Sequence, residues 1–260
     1  MRWPLFALLL TAAIQDSASD TPLARARARF EDAKAAEFKG GDFETPGKAA
    51  IAAYDEAIKA DPKSAVARAG RGEVRAAMAA WGMPRGDFTK RKELEDAVAD
   101  FDEALKLDPA RVESIAGRGF ARFKLAVARM FARGQIDDLF KSGFEDFNRA
   151  LELRPGDAGL FILRGDAHYE KALYSRYRAD PHRPPAEAAL ADYKAAAALD
   201  PACEPKLVAR VAAAGKLADS PVAVEDRGPF LVWSKTWELA RREATIRRVP
   251  IFFYVSGGAG

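Results

Sequence analysis

A repeat of 46 or 47 residues constrains this chain more than any other feature of its sequence. Four segments carry an aromatic residue, an alanine and a proline at matching positions, and the successive prolines are 47, 46 and 46 residues apart. They are Tyr54, Ala57 and Pro62; Phe101, Ala104 and Pro109; Phe147, Ala150 and Pro155; and Tyr193, Ala196 and Pro201. Because self-similarity at a fixed period is the signature of stacked supersecondary units, the sequence predicts a repeat protein.

The residue types indicate that each unit contains two helices. An aromatic residue followed three positions later by alanine lies on one helical face, and the proline that follows ends that helix because it lacks an N–H group. A second pattern, Arg–Gly, recurs at Arg71, Arg118 and Arg164 in the helices that follow the first three prolines, and Arg210–Val211 takes its place in the last. The small glycine allows the backbone of this helix to approach its neighbour closely.

In these positions the sequence resembles the tetratricopeptide repeat family over residues 22–217. The family signature has a glycine in the first helix, an alanine, an aromatic residue and a second alanine in the second helix, and a closing proline. The second helices match at Ala50, Ala97 and Ala189, whereas Gly143 replaces this first alanine in the third unit. The family repeat has about 34 residues, so about twelve residues are added between the two helices of each unit.

The resemblance implies an all-α fold, an α-solenoid of about four elongated helix pairs with a capping helix. The hydrophobic pattern and the Gly and Pro breakers predict helices at 22–38, 46–60, 64–81, 89–107, 111–133, 136–153, 157–178, 186–199 and 203–217. The added residues are expected to form exposed turns along one edge of the stack.

Both ends of the chain have a different character. Residues 1–19 have a basic start, a short apolar run and small residues, which is typical of a cleaved signal peptide and predicts an exported, periplasmic or secreted protein with no stable membrane span after cleavage. Residues 20–217 form the repeat domain, and 218–229 read as a linker. In 230–260, a strand, helix and strand pattern resembles the opening of a thioredoxin-like domain.

Composition excludes several function classes. There are 41 basic and 38 acidic residues, and they are interspersed, so the net charge of +3 does not predict nucleic-acid binding. Cys203 is the only cysteine, which excludes an intramolecular disulfide and a CxxC motif, and the two histidines lack metal-ligand spacing. We therefore expect no catalytic residues, no cofactor, no metal site and no enzyme activity.

Repeated charges predict ion pairs between neighbouring helices. Three aspartates each precede the repeat aromatic, and an arginine follows each of them after 18 residues. The predicted pairs are Asp100 with Arg118, Asp146 with Arg164, and Asp192 with Arg210. A structural role for these charges is favoured over a series of catalytic carboxylates, because the same spacing recurs in every unit.

First helices line the concave surface of such solenoids, where a peptide or a helix binds. The candidate groove residues are Glu73, Phe120, Phe123, Ile162, Asp166 and Tyr169, each of which could equally pack in the core. One subclass of the family binds terminal carboxylates through Lys and Asn on successive first helices. The matching positions here, such as Ala69 and Glu73, lack those residues, so that binding mode is not expected.

Two functions remain open from the sequence. The first is an exported scaffold that mediates protein–protein interaction through its concave helical surface, with a protein or peptide partner and an undetermined oligomeric state. The alternative is the front part of a longer repeat and thioredoxin-like redox protein, whose catalytic motif would lie beyond Gly260.

Overall fold

The computed structural model of the chain describes residues 21–82, 90–129, 136–177 and 180–220. All regular structure in these ranges is helical. The helices are α1 Pro22–Phe38, α2 Glu44–Ala60, α3 Ala65–Gly82, α4 Arg91–Leu107, α5 Val112–Ala128, α6 Ile136–Leu153, α7 Ala158–Tyr177, α8 Arg183–Leu199 and α9 Glu204–Ala218, with a 3₁₀ turn at Pro201–Cys203. The predicted helices are confirmed, with boundaries that differ by a few residues.

Some predictions lie outside the described residues. These are the signal peptide at 1–19, the strand, helix and strand pattern at 230–260, most of the linker at 218–229, and most of the added residues between the two helices of each unit. The helix predicted at 111–133 is described as far as Ala128.

The dipeptides that end the second helices adopt nearly the same backbone geometry in three units. Asp61, Asp108 and Asp200 follow α2, α4 and α8, and their φ angles are −135°, −140° and −136° with ψ angles of 91°, 89° and 92°. The proline that follows each of them disfavours the helical region for the preceding residue, so the chain leaves the helix at a fixed angle. The first helix of the next unit therefore begins within a few residues, as α3 does at Ala65 after α2 ends at Ala60.

The helices pack in sequence-adjacent pairs: α1 with α2, α3 with α4, α5 with α6, and α7 with α8. Each pair also contacts the next one, and the odd-numbered helices contact one another in series from α1 to α9. Among the described residues, the even-numbered helices make at most weak contacts with one another. The odd-numbered helices thus run along a shared side of the stack.

The repeat residues form the core between pairs. The aromatic residues Tyr54, Phe101, Phe147 and Tyr193 are at most 3% exposed, and the alanines three positions later are also buried. At the crossing of α5 and α6, a Cβ atom added to Gly119 would lie 2.9 Å from the carbonyl oxygen of Gly143. The alanine that the repeat pattern expects at Gly143 is replaced where two backbones come this close.

Candidate functional site

The arginine of the Arg–Gly pattern lies at the centre of a group of ion pairs, which we call a rung. In the second rung, Arg118 donates from Nε and Nη2 to the two carboxylate oxygens of Asp146 at 3.0 and 2.7 Å. Its Nη1 donates to Asp102 of α4 at 2.8 Å, and Arg122, one turn further along α5, donates to Asp146 at 2.8 Å. Arg118 of α5 therefore links α6, the other helix of its pair, to α4 of the preceding pair.

The first rung repeats this arrangement one unit earlier. Arg71 of α3 donates in a bidentate manner to Asp100 and also donates to Asp55 at 2.6 Å, while Arg75 donates to Asp100 at 2.7 Å. The Asp100 carboxylate is buried and accepts from two guanidinium groups, so its charge is compensated. The hydrogen bond to Asp100 is the main cause that raises the pKa of Arg71 above its ordinary value.

The third rung uses different residues but keeps the same net charge. Arg164 donates to both oxygens of Asp192 at 2.9 and 2.6 Å, and its Nη1 donates to Asn148 at 2.7 Å. His168 occupies the place of the second arginine, 4.0 Å from Asp192, and stacks on Phe144. Burial lowers the pKa of His168 to about 4, so the imidazole is neutral at pH 7. In the third rung the neutral His168 stands where the second rung has Arg122, and the neutral Asn148 stands where it has Asp102. Each of the three rungs therefore carries no net charge.

The sequence predicted the wrong arginine partner for each of the three repeat aspartates. Each aspartate pairs with the arginine of the helix before it, as Asp100 does with Arg71, rather than with the arginine 18 residues later. In the last unit Arg210 donates to Asp166. The error has a simple cause: in a periodic sequence, every aspartate has an arginine at a constant distance on both sides, and spacing alone does not choose between them.

The surface on the other side of the odd-numbered helices is the candidate binding site. A residue two positions after the rung arginine is rotated by about 200° around the helix, so it lies on a different side of the helix from the rung. We call the surface along this position the odd-helix face. Its members from α1 to α9 are Arg27, Glu73, Phe120, Asp166 and Ala212.

The six predicted groove residues divide into two groups. Phe120, Phe123 and Ile162 lie in the core and are at most 4% exposed. Glu73, Asp166 and Tyr169 remain partly exposed. The apolar members therefore pack inside the stack, whereas the polar members keep some exposed surface.

Asp166 has its hydrogen-bond partners within the chain. It accepts from Nε and Nη2 of Arg210 at 2.9 and 3.3 Å and from the hydroxyl of Tyr193 at 2.8 Å. Burial raises the pKa of Asp166 above its ordinary value, and the neighbouring Arg210 opposes this effect. This carboxylate therefore joins α7, α8 and α9 and is occupied by structural contacts.

Glu73 differs from Asp166, although both occupy the same position of the repeat. Its side chain makes no hydrogen bond or ion pair within the described ranges. Burial raises the pKa of the Glu73 carboxyl from 4.5 to about 7, although three nearby cations lower it. These cations are Lys34, Arg111 and Arg27, and Glu113 acts in the opposite direction. Near neutral pH this carboxyl therefore exchanges a proton with solvent.

An ion pair on the odd-numbered helices was not predicted from the sequence. Lys124 of α5 donates to Glu170 of α7, and the lysine is 8% exposed and lies over the ring of Phe120. The two residues are 46 positions apart, so they occupy equivalent places in successive units. A search for opposite charges at equivalent repeat positions would have found this pair.

The described ranges contain no group of three His, Cys, Asp or Glu side chains arranged to hold a metal ion. None of the helices in these ranges combines the length and the apolar character needed to cross a membrane. The thiol of Cys203 is buried and donates to the carbonyl of Asp200 at 2.9 Å, and burial raises its pKa, which disfavours the nucleophilic thiolate.

Comparison with known proteins does not assign the chain to a group. No protein-family model matches the sequence, and no curated protein matches it.

Proposed function

We propose that this chain is an exported scaffold of tetratricopeptide type that holds another polypeptide on its odd-helix face. The helix pairs would stack as an α-solenoid with α9 as the cap, and the odd-numbered helices would line its concave side. The serial contact of the odd-numbered helices supports this geometry, because helices on the inner side of a curved stack are closer together than those on the outer side. Export is supported by the pattern of residues 1–19 alone.

The observation that carries the binding proposal is the partly exposed pair Glu73 and Tyr169. These side chains lie on odd-numbered helices of two different units, so a bound segment would be read at more than one point along the stack. Such a surface suits a peptide or a helix better than a small molecule.

Site-specific photo-crosslinking in the full chain tests this proposal. A photoreactive amino acid replaces Tyr169 on the odd-helix side, and in a matched control it replaces Lys194, which is exposed on α8. We expect illumination of cells that export the protein to give a defined polypeptide adduct from position 169 and none from position 194. The absence of any adduct, or the same adduct from both positions, would refute binding at this face.

A further inference from the structure

The last helix of the stack exposes an apolar stripe. Pro205, Val208, Ala209 and Ala212 of α9 are all exposed, and Val208 is 63% exposed. Their spacing of three and four residues places them on one side of the helix, and Ala212 also belongs to the odd-helix face. The residues that the structure describes leave this side of α9 uncovered. We call these four residues the α9 stripe.

The corresponding side of α7 is covered by α8. The buried positions of α7 recur 47 residues later in α9, as Leu160 and Leu207, Leu163 and Arg210, and Ala167 and Ala214. With this alignment, the α9 stripe corresponds to the side of α7 that contains Phe161, Ile162 and Gly165. Ile162 shares a buried cluster with Tyr193 of α8, and a Cβ atom added to Gly165 would lie 2.7 Å from the ring of Tyr193. The α9 stripe is therefore the side on which the first helix of a pair contacts its second helix.

The two ends of the stack differ in polarity. At the first end, α1 exposes Arg25, Arg29 and Asp32, which lie on one side of that helix. Terminal repeats of a solenoid need such a polar outer face to remain soluble. The α9 stripe contains no charged side chain. The last helix therefore has the character of an inner helix that is covered by another segment.

The size of the stripe argues against a second copy of the chain as the occupant. Because α9 has 15 residues, the stripe is about 22 Å long and about 10 Å wide, which gives roughly 200 Å². A stable interface between separate chains buries about 800 Å² on each partner. A segment joined covalently to α9 needs less area, because its effective concentration is in the millimolar range.

The chain that follows α9 contains a segment with suitable chemistry at residues 235–248. In a helix, Trp237, Ala240 and Ala244 share one side, whereas Arg242 lies on the opposite side. An aromatic residue followed three positions later by alanine is also the pattern of the second helices of the repeat. Sixteen residues join α9 to this segment. They span at most about 50 Å when extended, so the segment can reach any part of the stripe.

We propose that residues 235–248 form a helix that packs on the α9 stripe and closes the end of the stack. The side with Trp237 and Ala240 faces Val208 and Ala209, and the alanines of both helices allow a close approach. This arrangement makes α9 the first helix of a fifth pair. It goes beyond the proposed function, because it concerns how the stack ends and is independent of the polypeptide that is bound.

Photo-crosslinking in the purified full chain tests this contact. A photoreactive amino acid replaces Val208, and in a matched control it replaces Arg29, which is exposed on α1. A mixture of isotopically light and heavy chains separates crosslinks within one chain from crosslinks between copies. We expect position 208 to give adducts within 235–248 of the same chain and position 29 to give none there. Adducts between copies, adducts only to other parts of the chain, or no adduct from position 208 would overturn the proposal.

Hydrogen exchange of the backbone amides in residues 235–248 provides a second test. Val208→Lys should accelerate their exchange at least about tenfold, because the packed helix would otherwise bury an unpaired charge. Ala28→Lys, a matched substitution at an exposed position of α1, should leave these rates unchanged. Equal exchange rates in the wild type and Val208→Lys, or the same acceleration in both variants, would contradict packing on the stripe.

Discussion

The neutral composition of the rungs can be tested by converting the second rung into the third. The third rung has histidine and asparagine where the second has Arg122 and Asp102. Arg122→His alone leaves the second rung with a net negative charge, and Asp102→Asn alone leaves it with a net positive charge. The double variant restores neutrality, so we expect it to be more stable than the sum of the two single effects predicts.

The structure sets the size of these effects. Arg122→His removes a charge-assisted hydrogen bond of 2.8 Å to the buried Asp146, which is worth about 1.5–3 kcal/mol. Asp102→Asn keeps an acceptor for the arginine of the rung and should cost less than about 1 kcal/mol. Arg122 and Asp102 also interact directly at 3.9 Å, and Asp102 is 41% exposed, so solvent screens this pair. We therefore expect a coupling of about 1 kcal/mol, near the aqueous end of the Coulomb range.

Urea unfolding of the four proteins at pH 7, followed by circular dichroism at 222 nm, measures this coupling. The matched control combines Arg122→His with Asp55→Asn, because Asp55 has similar exposure, 42%, but belongs to the first rung. This second cycle should be additive within about 0.5 kcal/mol. Additive effects in the Asp102 cycle, or the same coupling in both cycles, would refute the requirement for a neutral rung.

Two further predictions concern single positions. Because the folded-state pKa of Glu73 is raised from 4.5 to about 7, the folded chain binds its proton more tightly, and stability from this group is lost as pH rises from 4.5 to 7. Glu73→Gln should remove this loss, which is worth up to about 3 kcal/mol above pH 7; equal pH dependence of unfolding in wild type and variant would contradict the raised pKa. Gly119→Ala should destabilise the chain by about 1–3 kcal/mol in thermal unfolding, because the new methyl group meets the Gly143 carbonyl at 2.9 Å. Gly215→Ala, in α9 with open space around it, should instead stabilise by up to about 1 kcal/mol, and a loss of stability there would show that the steric argument is wrong.

The period of the sequence was sufficient to predict the helices and their order. Aromatic and alanine positions at helical spacing, with Asp–Pro or Arg–Pro at the end, encode each second helix through local sterics and burial, and the structure confirms nine predicted helices in the described ranges. The core role of Phe101 and Tyr193 follows from the same pattern. These features depend on neighbouring residues, which a sequence displays directly.

Only the tertiary structure decided which charged groups meet and which side chains remain open. Asp100 has an arginine before it and another after it, and the choice of Arg71 depends on which helix packs against α4. Glu73, Phe120 and Asp166 share one repeat position, yet Phe120 is buried, Asp166 is paired with Arg210, and Glu73 has no hydrogen-bond partner among the residues that the structure describes. Burial and pairing are set by residues distant in the chain, and a periodic sequence fixes which positions are equivalent without fixing what each of them contacts.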